Sequence, residues 1–393
     1  MNNVKLAEGI YYVGAVDWTV RDFHGYTTPR GVTYNSYLIV DEKVCVIDTV
    51  KAPFAAEFIE RISQHVDPAR IDYVITNHIE PDHSSALSAL MERAPQAKVL
   101  LTEHGKAGIV KYYQKEYNFQ VVKEGDVLDL GRNKLHFLPL PMLHWPDSMV
   151  SYLDGEQILF SNDAFGQHIS TTKRFDDEND INEVLYEAAK YYANILMPYG
   201  KLVPGALKKA AQFPIRMIAP SHGVVWRSHI PAILSKYEQW ATGYATDKIV
   251  IAYDSMWGST EKMARHILEG VAAAGAIGKL YRMSAADRSE VIADILEAKG
   301  LLVGSSTLNN GMLPSIGALL VYLKGLRPTK KTGACFGAYG WGGGAQKDME
   351  ELLKGAGVAV ESGLTLKWAP DSQEKEKCFQ FGYDFAMKVL AAK

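Results

Sequence analysis

The sequence predicts an α/β protein of two domains, a β-rich α/β domain followed by a doubly wound parallel sheet. Three observations carry that prediction. The chain has 393 residues, and at roughly 150 residues per domain that length means between two and three domains. Its first two thirds read as short β-rich runs punctuated by turns, with helical stretches between them. Near residue 245 the rhythm changes to alternating strand and helix, the pattern of a parallel sheet covered on both faces.

In the first domain, Val44 to Val50, Tyr73 to Thr76, Lys98 to Thr102 and Leu135 to Leu140 have the β-branched and aromatic content of buried strands. Met149 to Leu153 and Gln157 to Ser161 flank Asp154-Gly155, a hairpin signal because Asp-Gly supplies the positive φ angles of a tight primed turn. A helix ends at Tyr237 to Tyr244, and the expected boundary divides residues 1–246 from 247–393. Beyond it come IVIAY, a helix from about Thr260 to Ala274, KLY, a helix opening at Ser284, LLVGSS, another helix and ACFGAY. Met263, Ile267 and Val271 share one face of the first of these helices, and Gly275 stands where a C-cap glycine belongs.

Composition excludes several classes of function. With 42 basic and 45 acidic residues the net charge is −3, so nothing global recommends a nucleic acid or an anionic membrane. No run approaches the roughly 18 apolar residues of a membrane span. The N-terminus MNNVKLAEGIYYVG also lacks a basic region followed by an apolar core. The expected location is the cytoplasm. Cys45, Cys335 and Cys378 are scattered without CxxC spacing, which argues against disulfides, iron–sulfur clusters and structural zinc. Any metal must therefore use nitrogen and oxygen ligands.

Such ligands crowd into six residues. His78, Glu80, Asp82 and His83 follow the strand DYVIT directly, where an irregular loop can turn all four side chains into one space. A single histidine is ordinarily a packed or solvated one; four donors in six positions need a common purpose. His144 in MLHWPDS, Asp163 in FSNDAFG and His222 in APSHG each follow a predicted strand as well. Together these make four histidines and three carboxylates, enough for two ions with Asp163 bridging. Open positions on such sites suit iron bound to a diatomic gas, and zinc or manganese also fit.

A second site is expected after IVIAY. Ser255, Met256, Trp257, Gly258, Ser259 and Thr260 lead into the amphipathic helix, where backbone N–H groups and hydroxyls can cradle a phosphate. A plain N-cap by Ser259 would account for one hydroxyl, not for Ser255, Gly258 and Thr260 together. Two loops at the ends of later strands, Ser306, Thr307, Leu308, Asn309 and Asn310, then Ala338, Tyr339, Gly340, Trp341, Gly342 and Gly343, can meet the edges and face of a flavin ring. Neither GxxxxGK[ST] nor GxGxxG precedes a helix, which lowers the prospect of a triphosphate or dinucleotide.

The pattern HxExDH with the distant His, Asp and His resembles the HxHxDH signature of the metallo-β-lactamase superfamily, with Glu80 in place of the second histidine. Within that superfamily the chain resembles the flavodiiron proteins. The likeness includes RDFHGYT at residues 21–27, PMLHWPDSM at 141–149 and YYANILMPY at 191–199. The resemblance implies an αββα metallo-β-lactamase-like sandwich followed by a flavodoxin-like domain. It assigns His78, Glu80 and His144 to one iron and Asp82, His83 and His222 to the other, with Asp163 between them, and it implies FMN at the second site. It further implies reduction of O2 to water, NO to N2O, or both, in a head-to-tail homodimer or dimer of dimers. Electrons are expected from a separate donor, either a rubredoxin-like protein, a reductase or a reduced deazaflavin, since about 145 residues follow the boundary and leave no room for a fused rubredoxin. The resemblance makes His24, Tyr26, His168 and Tyr192 candidate donors around the metal pocket, with a structural role in their loops as the alternative. His104, His136, His229 and His266 are expected to be packed or solvated residues, Trp145 either a packing residue or a gate beside His144, and the basic run Arg327 to Lys331 a solvated loop that could also receive an acidic electron donor. A dinuclear zinc hydrolase with an accessory flavodoxin domain, or an electron carrier without metals, would be the alternatives.

Overall fold

The computed structural model describes residues 4–391. It divides into two compact units, the first comprising residues up to Tyr191 with Lys201–Glu238, the second Tyr192–Gly200 with the residues from Gln239 onward. By its contacts the segment Tyr192–Gly200 groups with the residues from Gln239 onward.

The first unit is built on two sheets. The larger has seven strands in the order Lys5–Ala7, Ile10–Tyr12, Tyr37–Val40, Val44–Ile47, Ile71–Ile75, Lys98–Leu101, Phe119–Val121. The smaller has five, Val127–Asp129, Lys134–Pro139, Met149–Leu153, Ile158–Asn162 and Met217–Pro220. Tyr37, Cys45, Ile47, Ile75 and Leu100 of the first sheet form one core with Leu135, Phe137, Met149, Leu153, Ile158 and Phe160 of the second. The alternation of these residues along their strands turns one face of each sheet toward the other. Val44–Ile47 and Met149–Leu153 are buried along their whole length, as strands covered on both faces must be. This is the αββα sandwich.

The hairpin at Met149–Asn162 forms as expected, antiparallel, but by a different turn. Its left-handed residue is Gln157, φ 56°, not Gly155. Gly155 instead lets a neighbouring side chain approach: a Cβ there would lie 2.2 Å from Asn133 Oδ1, which would have to shift.

The second unit carries a parallel sheet in the order Ile277–Arg282, Thr246–Asp254, Ala298–Ser305, Thr332–Tyr339, with Ala359–Val360 and Leu364–Lys367 both pairing the last of these. In chain order this is 2-1-3-4-5, whose direction reverses between the first and third strands and opens a crevice beyond their carboxyl ends. The helix expected at Ser284 begins instead at Arg288, capped by Asp287. Ser284 is taken by Asp254, to which its hydroxyl donates at 3.0 Å, and Ala285 and Ala286 close a turn on the Arg282 carbonyl. Helices Ser259–Ala273 and Ser372–Ala391 cross through glycine. A Cβ at Gly270 would lie 2.0 Å from the Phe379 carbonyl oxygen, and one at Gly382 would lie 2.1 Å from that of Ile267.

Lys331 departs from the solvated loop expected of the Arg327 to Lys331 run. It is buried, and its ammonium donates to the Leu296 and Ala298 carbonyls at 2.8 and 2.7 Å. The first of these ends helix Arg288–Leu296, where a cation is favoured by the helix dipole. Burial nevertheless lowers the Lys331 pKa from 10.5 to about 8. Between about pH 8 and 10.5 the unfolded chain then holds a proton that the folded chain has released, so folding gains stability as pH rises through that window. Relative to Lys331→Met, the wild type should gain stability from pH 8 to 10.5, by at most about 3 kcal/mol, measured by urea unfolding. A pH-independent difference between the two would contradict the buried charge.

Candidate functional site

The topology of the first unit gathers the metal-ligand candidates before any side chain is considered. Ile71–Ile75 runs parallel to Val44–Ile47 and Lys98–Leu101. In the smaller sheet Lys134–Pro139, Ile158–Asn162 and Met217–Pro220 share one direction, since two antiparallel pairings followed by a parallel one restore it. The loops bearing His78 to His83, His144, Asp163 and His222 all follow carboxyl ends of these strands.

Around Asp163 the donors fall into two sets. Its Oδ2 faces His144 Nε2 at 3.1 Å and His78 Nε2 at 3.7 Å, while its Oδ1 faces His83 Nε2 at 3.2 Å and His222 Nε2 at 3.5 Å. Glu80 Oε2 completes the first set, 3.2 Å from His78 Nε2 and 3.4 Å from His144 Nε2. Asp82 Oδ2 completes the second, 3.1 Å from His222 Nε2 and 3.3 Å from His83 Nε2. In each set the ligand atoms lie within 4.8 Å of one another.

The arrangement has the chemistry of a metal pocket. Both nitrogens of buried His83 and Asp82 Oδ1 lack a hydrogen-bond partner among the described residues, although His83 Nε2 stands beside two carboxylates. Buried polar atoms are nearly always hydrogen-bonded; atoms that converge without that alignment are placed for lone-pair donation. Two imidazoles are oriented from behind. His78 Nδ1 lies 2.9 Å from Asp147 Oδ2, and His222 Nδ1 donates to the Thr33 carbonyl at 2.6 Å, which leaves Nε2 as the inward lone pair. Asp147 also accepts from the Ile79 amide, so one carboxylate fixes both the ring and the loop that carries it.

The pocket's charges hold each other. Burial alone would lower the His78 pKa, but the Asp147, Glu80 and Asp163 carboxylates outweigh it and raise the value to about 10. His83 and His144 reach about 9 in the same way, against burial, through Asp82 and Asp163 for one and Asp163 and Glu80 for the other. Asp163 is driven well below the usual carboxylate range because the neighbouring His83 and His144 overcome its desolvation.

Of the candidates around the pocket, His24 Nδ1 lies 3.3 Å from Glu80 Oε1. Buried His168 stacks on Tyr26 at 5.3 Å and meets the His222 ring edge-on; burial lowers its pKa well below the usual range and keeps it neutral. Tyr192 does not join them. Its ring packs on Trp240 at 5.2 Å in the second unit, and Tyr191 donates to Asp163 Oδ1 at 2.8 Å instead. The α-helix Ile181–Tyr191 gives way to a π-helical turn at Tyr192, which changes the facing of successive side chains. The buried series Val184, Ala188, Tyr191 was the available signal, at helical spacing. Asp48 was also missed: it accepts from the Asn77 amide and side chain at 2.7 and 3.2 Å, and burial pushes its pKa up to about 6. Trp145 packs edge-on against His78.

In the second unit a cavity of about 490 Å³ lies beyond the sheet's carboxyl edge. All three predicted loops line it, through Met256, Trp257, Ser259, Ser306, Thr307, Asn309, Asn310, Ala338, Tyr339, Gly340, Trp341 and Gly342; Trp368, which was not anticipated, joins them. Ser255, Gly258, Thr260, Leu308 and Gly343 are not in its lining. Ser255 Oγ accepts from the Gly258 amide at 3.0 Å and Thr260 Oγ1 pairs with Ser306 Oγ at 3.0 Å, so these residues brace the loops. Leu308 and Gly311 exchange backbone hydrogen bonds around Asn309 and Asn310, both at positive φ, which is a tight primed turn. Gly343 lines an adjoining cavity of about 400 Å³. Helix Ser259–Ala273 is capped by Gly258 at φ 81° with no side-chain cap bond, so its first amides are open to an anion. Ser259 is therefore not a plain N-cap, and the volume and lining suit a flavin mononucleotide.

The fold and the two sites define the class: a β-lactamase-like domain with a dinuclear-type donor set, joined in one chain to a flavodoxin-like domain. Residues 32–223 match the model of the ODP family beta lactamases and residues 251–382 that of flavodoxin. The nitric oxide reductase of Moorella thermoacetica is 47% identical over 98% of each chain. Among solved structures, the flavodiiron protein of Giardia intestinalis is 35% identical with a TM-score of 0.97, covering 100% of this chain and 97% of its own. Rubredoxin oxygen:oxidoreductase of Desulfovibrio gigas is 39% identical with a TM-score of 0.96, covering 99% and 100%. The chain belongs to the flavodiiron protein family.

Asp147→Asn should lower metal affinity by about 10- to 100-fold, because His78 loses the carboxylate that orients and polarises it. Chelator competition measures this. Unchanged affinity in a folded variant would remove Asp147 from the design of the site.

Proposed function

We propose that the chain reduces O2, NO or both, with FMN in the second unit and two irons in the first, for detoxification of these gases in the cytoplasm. The assignment takes residues 1–246 as the diiron domain and 247–393 as the FMN domain. His78, Glu80 and His144 hold one iron, Asp82, His83 and His222 the other, and Asp163 both. The observation that carries the reading is the division of the Asp163 carboxylate, one oxygen toward each donor set. When bound, the two irons supply electrons and open positions for a diatomic gas, and the flavin collects electrons from the donor. No helix among the described residues is long and apolar enough to cross a membrane.

The chain's own residues do the rest. Asp147 and the Thr33 carbonyl hold two imidazoles in the tautomer that donates through Nε2. The Tyr191 hydroxyl keeps a proton at Asp163 Oδ1. His24, partly exposed beside Glu80, stands between solvent and the pocket, where an imidazole can relay protons. Phe23, Tyr26 and His168 wall the pocket with rings around His222, which limits water. In this reading a rubredoxin-like protein, a reductase or a reduced deazaflavin supplies the electrons. A head-to-tail homodimer, alone or as a dimer of dimers, brings one subunit's flavin to the partner's irons.

The purified chain should be yellow and carry one FMN and two irons, and after anaerobic reduction it should consume O2 or NO with reoxidation of the flavin. Stoichiometric zinc without iron, or reduction without gas consumption, would overturn the reading. Asp163→Ala should lose both irons and gas consumption while keeping FMN, since the carboxylate belongs to the first unit and the flavin loops to the second. Equal loss of flavin would contradict the separation of the two sites.

A further inference from the structure

Trp368 stands out among the residues that line the flavin cavity. It lies outside the three loops expected to bind flavin, following the short strand Leu364–Lys367. It is a large apolar side chain, 65% exposed, on a backbone at φ 62°. A left-handed conformation is costly for a bulky residue and persists only where the surroundings enforce it. Here the Trp368 amide donates to the Tyr339 carbonyl at 2.8 Å, fastening the residue to the end of the neighbouring strand. The indole Nε1 lies 3.7 Å from where a Cβ on Gly340 would stand, so an indole occupies the space beside that glycine. Lys367 places its ammonium 4.5 Å from the indole ring centre, within the range of a cation–π contact.

An exposed indole, pinned in a strained conformation against a cavity and carrying a cation, is poorly explained as packing. We infer that Trp368 forms a further wall for the flavin ring and that Lys367, held over it, places positive charge beside the ring. The inference rests on the flavin reading above and extends it to two residues outside the flavodoxin-type loops. Trp368 adjoins the Ala338 to Gly343 loop, on the ring side of the cavity, whereas the phosphate is expected at the Ser255 to Thr260 loop. Two consequences follow. Trp368 contributes to affinity for the ring irrespective of the phosphate. Lys367 favours the reduced, more electron-rich flavin, because a nearby cation stabilises added negative charge.

The test uses the full chain, stripped of flavin and titrated with FMN and with riboflavin, which lacks the phosphate. Trp368→Ala should weaken both by the same factor, roughly 3- to 10-fold for the loss of one aromatic contact, and Trp368→Phe should recover most of it. Ser259→Ala, which removes a hydroxyl of the phosphate loop that lines the cavity, should weaken FMN and spare riboflavin. Lys367→Gln should leave FMN affinity within about twofold while making the reduction potential of the bound flavin more negative. Thermal unfolding of the flavin-free variants separates local damage from lost contact. Unchanged affinity for both flavins in Trp368→Ala, or a weakening confined to FMN, would overturn the role of Trp368. An unmoved potential in Lys367→Gln would overturn that of Lys367. A wild-type chain that takes up neither flavin would instead overturn the flavin reading itself.

Discussion

The first unit is organised around one carboxylate. Asp163 is buried, carries its charge, and faces four imidazoles with two oxygens. An isolated ion at that depth would cost several kcal/mol even after relaxation, so its partners must be brought to it by structures that do not yield. Two stacked sheets do this. Each ligand-bearing loop starts from a strand end already held in the sandwich core, and the Asp163 loop is further tied by the Asn162 side chain, which accepts from the Asp163 amide. Tyr191 reaches the same carboxylate from a helix. The rigidity of the scaffold is thus what allows seven ionisable side chains to be crowded into one pocket.

That crowding explains why so much of the site could be read from the chain. Four ligand-type residues within six positions have few other uses, and the later His144, Asp163 and His222 each follow a recognisable strand. The residues behind them carry no such mark. Asp147 lies in the same motif as His144, yet only the fold reveals that it serves His78, 69 positions earlier in the chain. Asp48 and the Thr33 carbonyl are equally silent, one being an ordinary acidic residue and the other a backbone atom. Tyr191 and Tyr192 are chemically identical neighbours, and the choice between them depends on helical phase where an α-helix becomes a π-turn.

Elements whose hydrophobic period is local were the legible part of the fold: the parallel strands, the helix Ser259–Ala273 and its C-cap glycine. What escaped depended on distant partners. Lys331 reads as part of a basic loop until two carbonyls of another segment are found at its ammonium. The start of helix Arg288–Leu296 is shifted because Asp254 claims Ser284. Gly155 reads as a turn glycine, but its neighbour is the Asn133 side chain, packed where a Cβ would stand. The passage of Tyr192–Gly200 into the second unit has no compositional mark at all.

The two units solve binding by opposite electrostatic means. The metal pocket concentrates ionisable donors, and its carboxylates raise the pKa of His78, His83 and His144, so that cations bind there in exchange for protons. The flavin cavity has almost no charge in its lining and offers open helix amides, hydroxyls and aromatic faces. A dianionic phosphate can be held by amide dipoles without an ion pair, and a ring by stacking. The chain's charge on that side is kept one step back: Asp254 is buried beneath the loop and satisfied by the Ser255 amide and the hydroxyls of Ser284 and Ser315. Through these bonds one carboxylate links the phosphate loop to the start of helix Pro314–Leu326, which follows the ring-binding loop. A cavity built in this way is shaped by hydrogen-bonded loops, so its affinity is set by contact area and stacking. That is why a tryptophan outside the recognised loops carries weight there, and why an added aromatic wall would do little for the metal pocket.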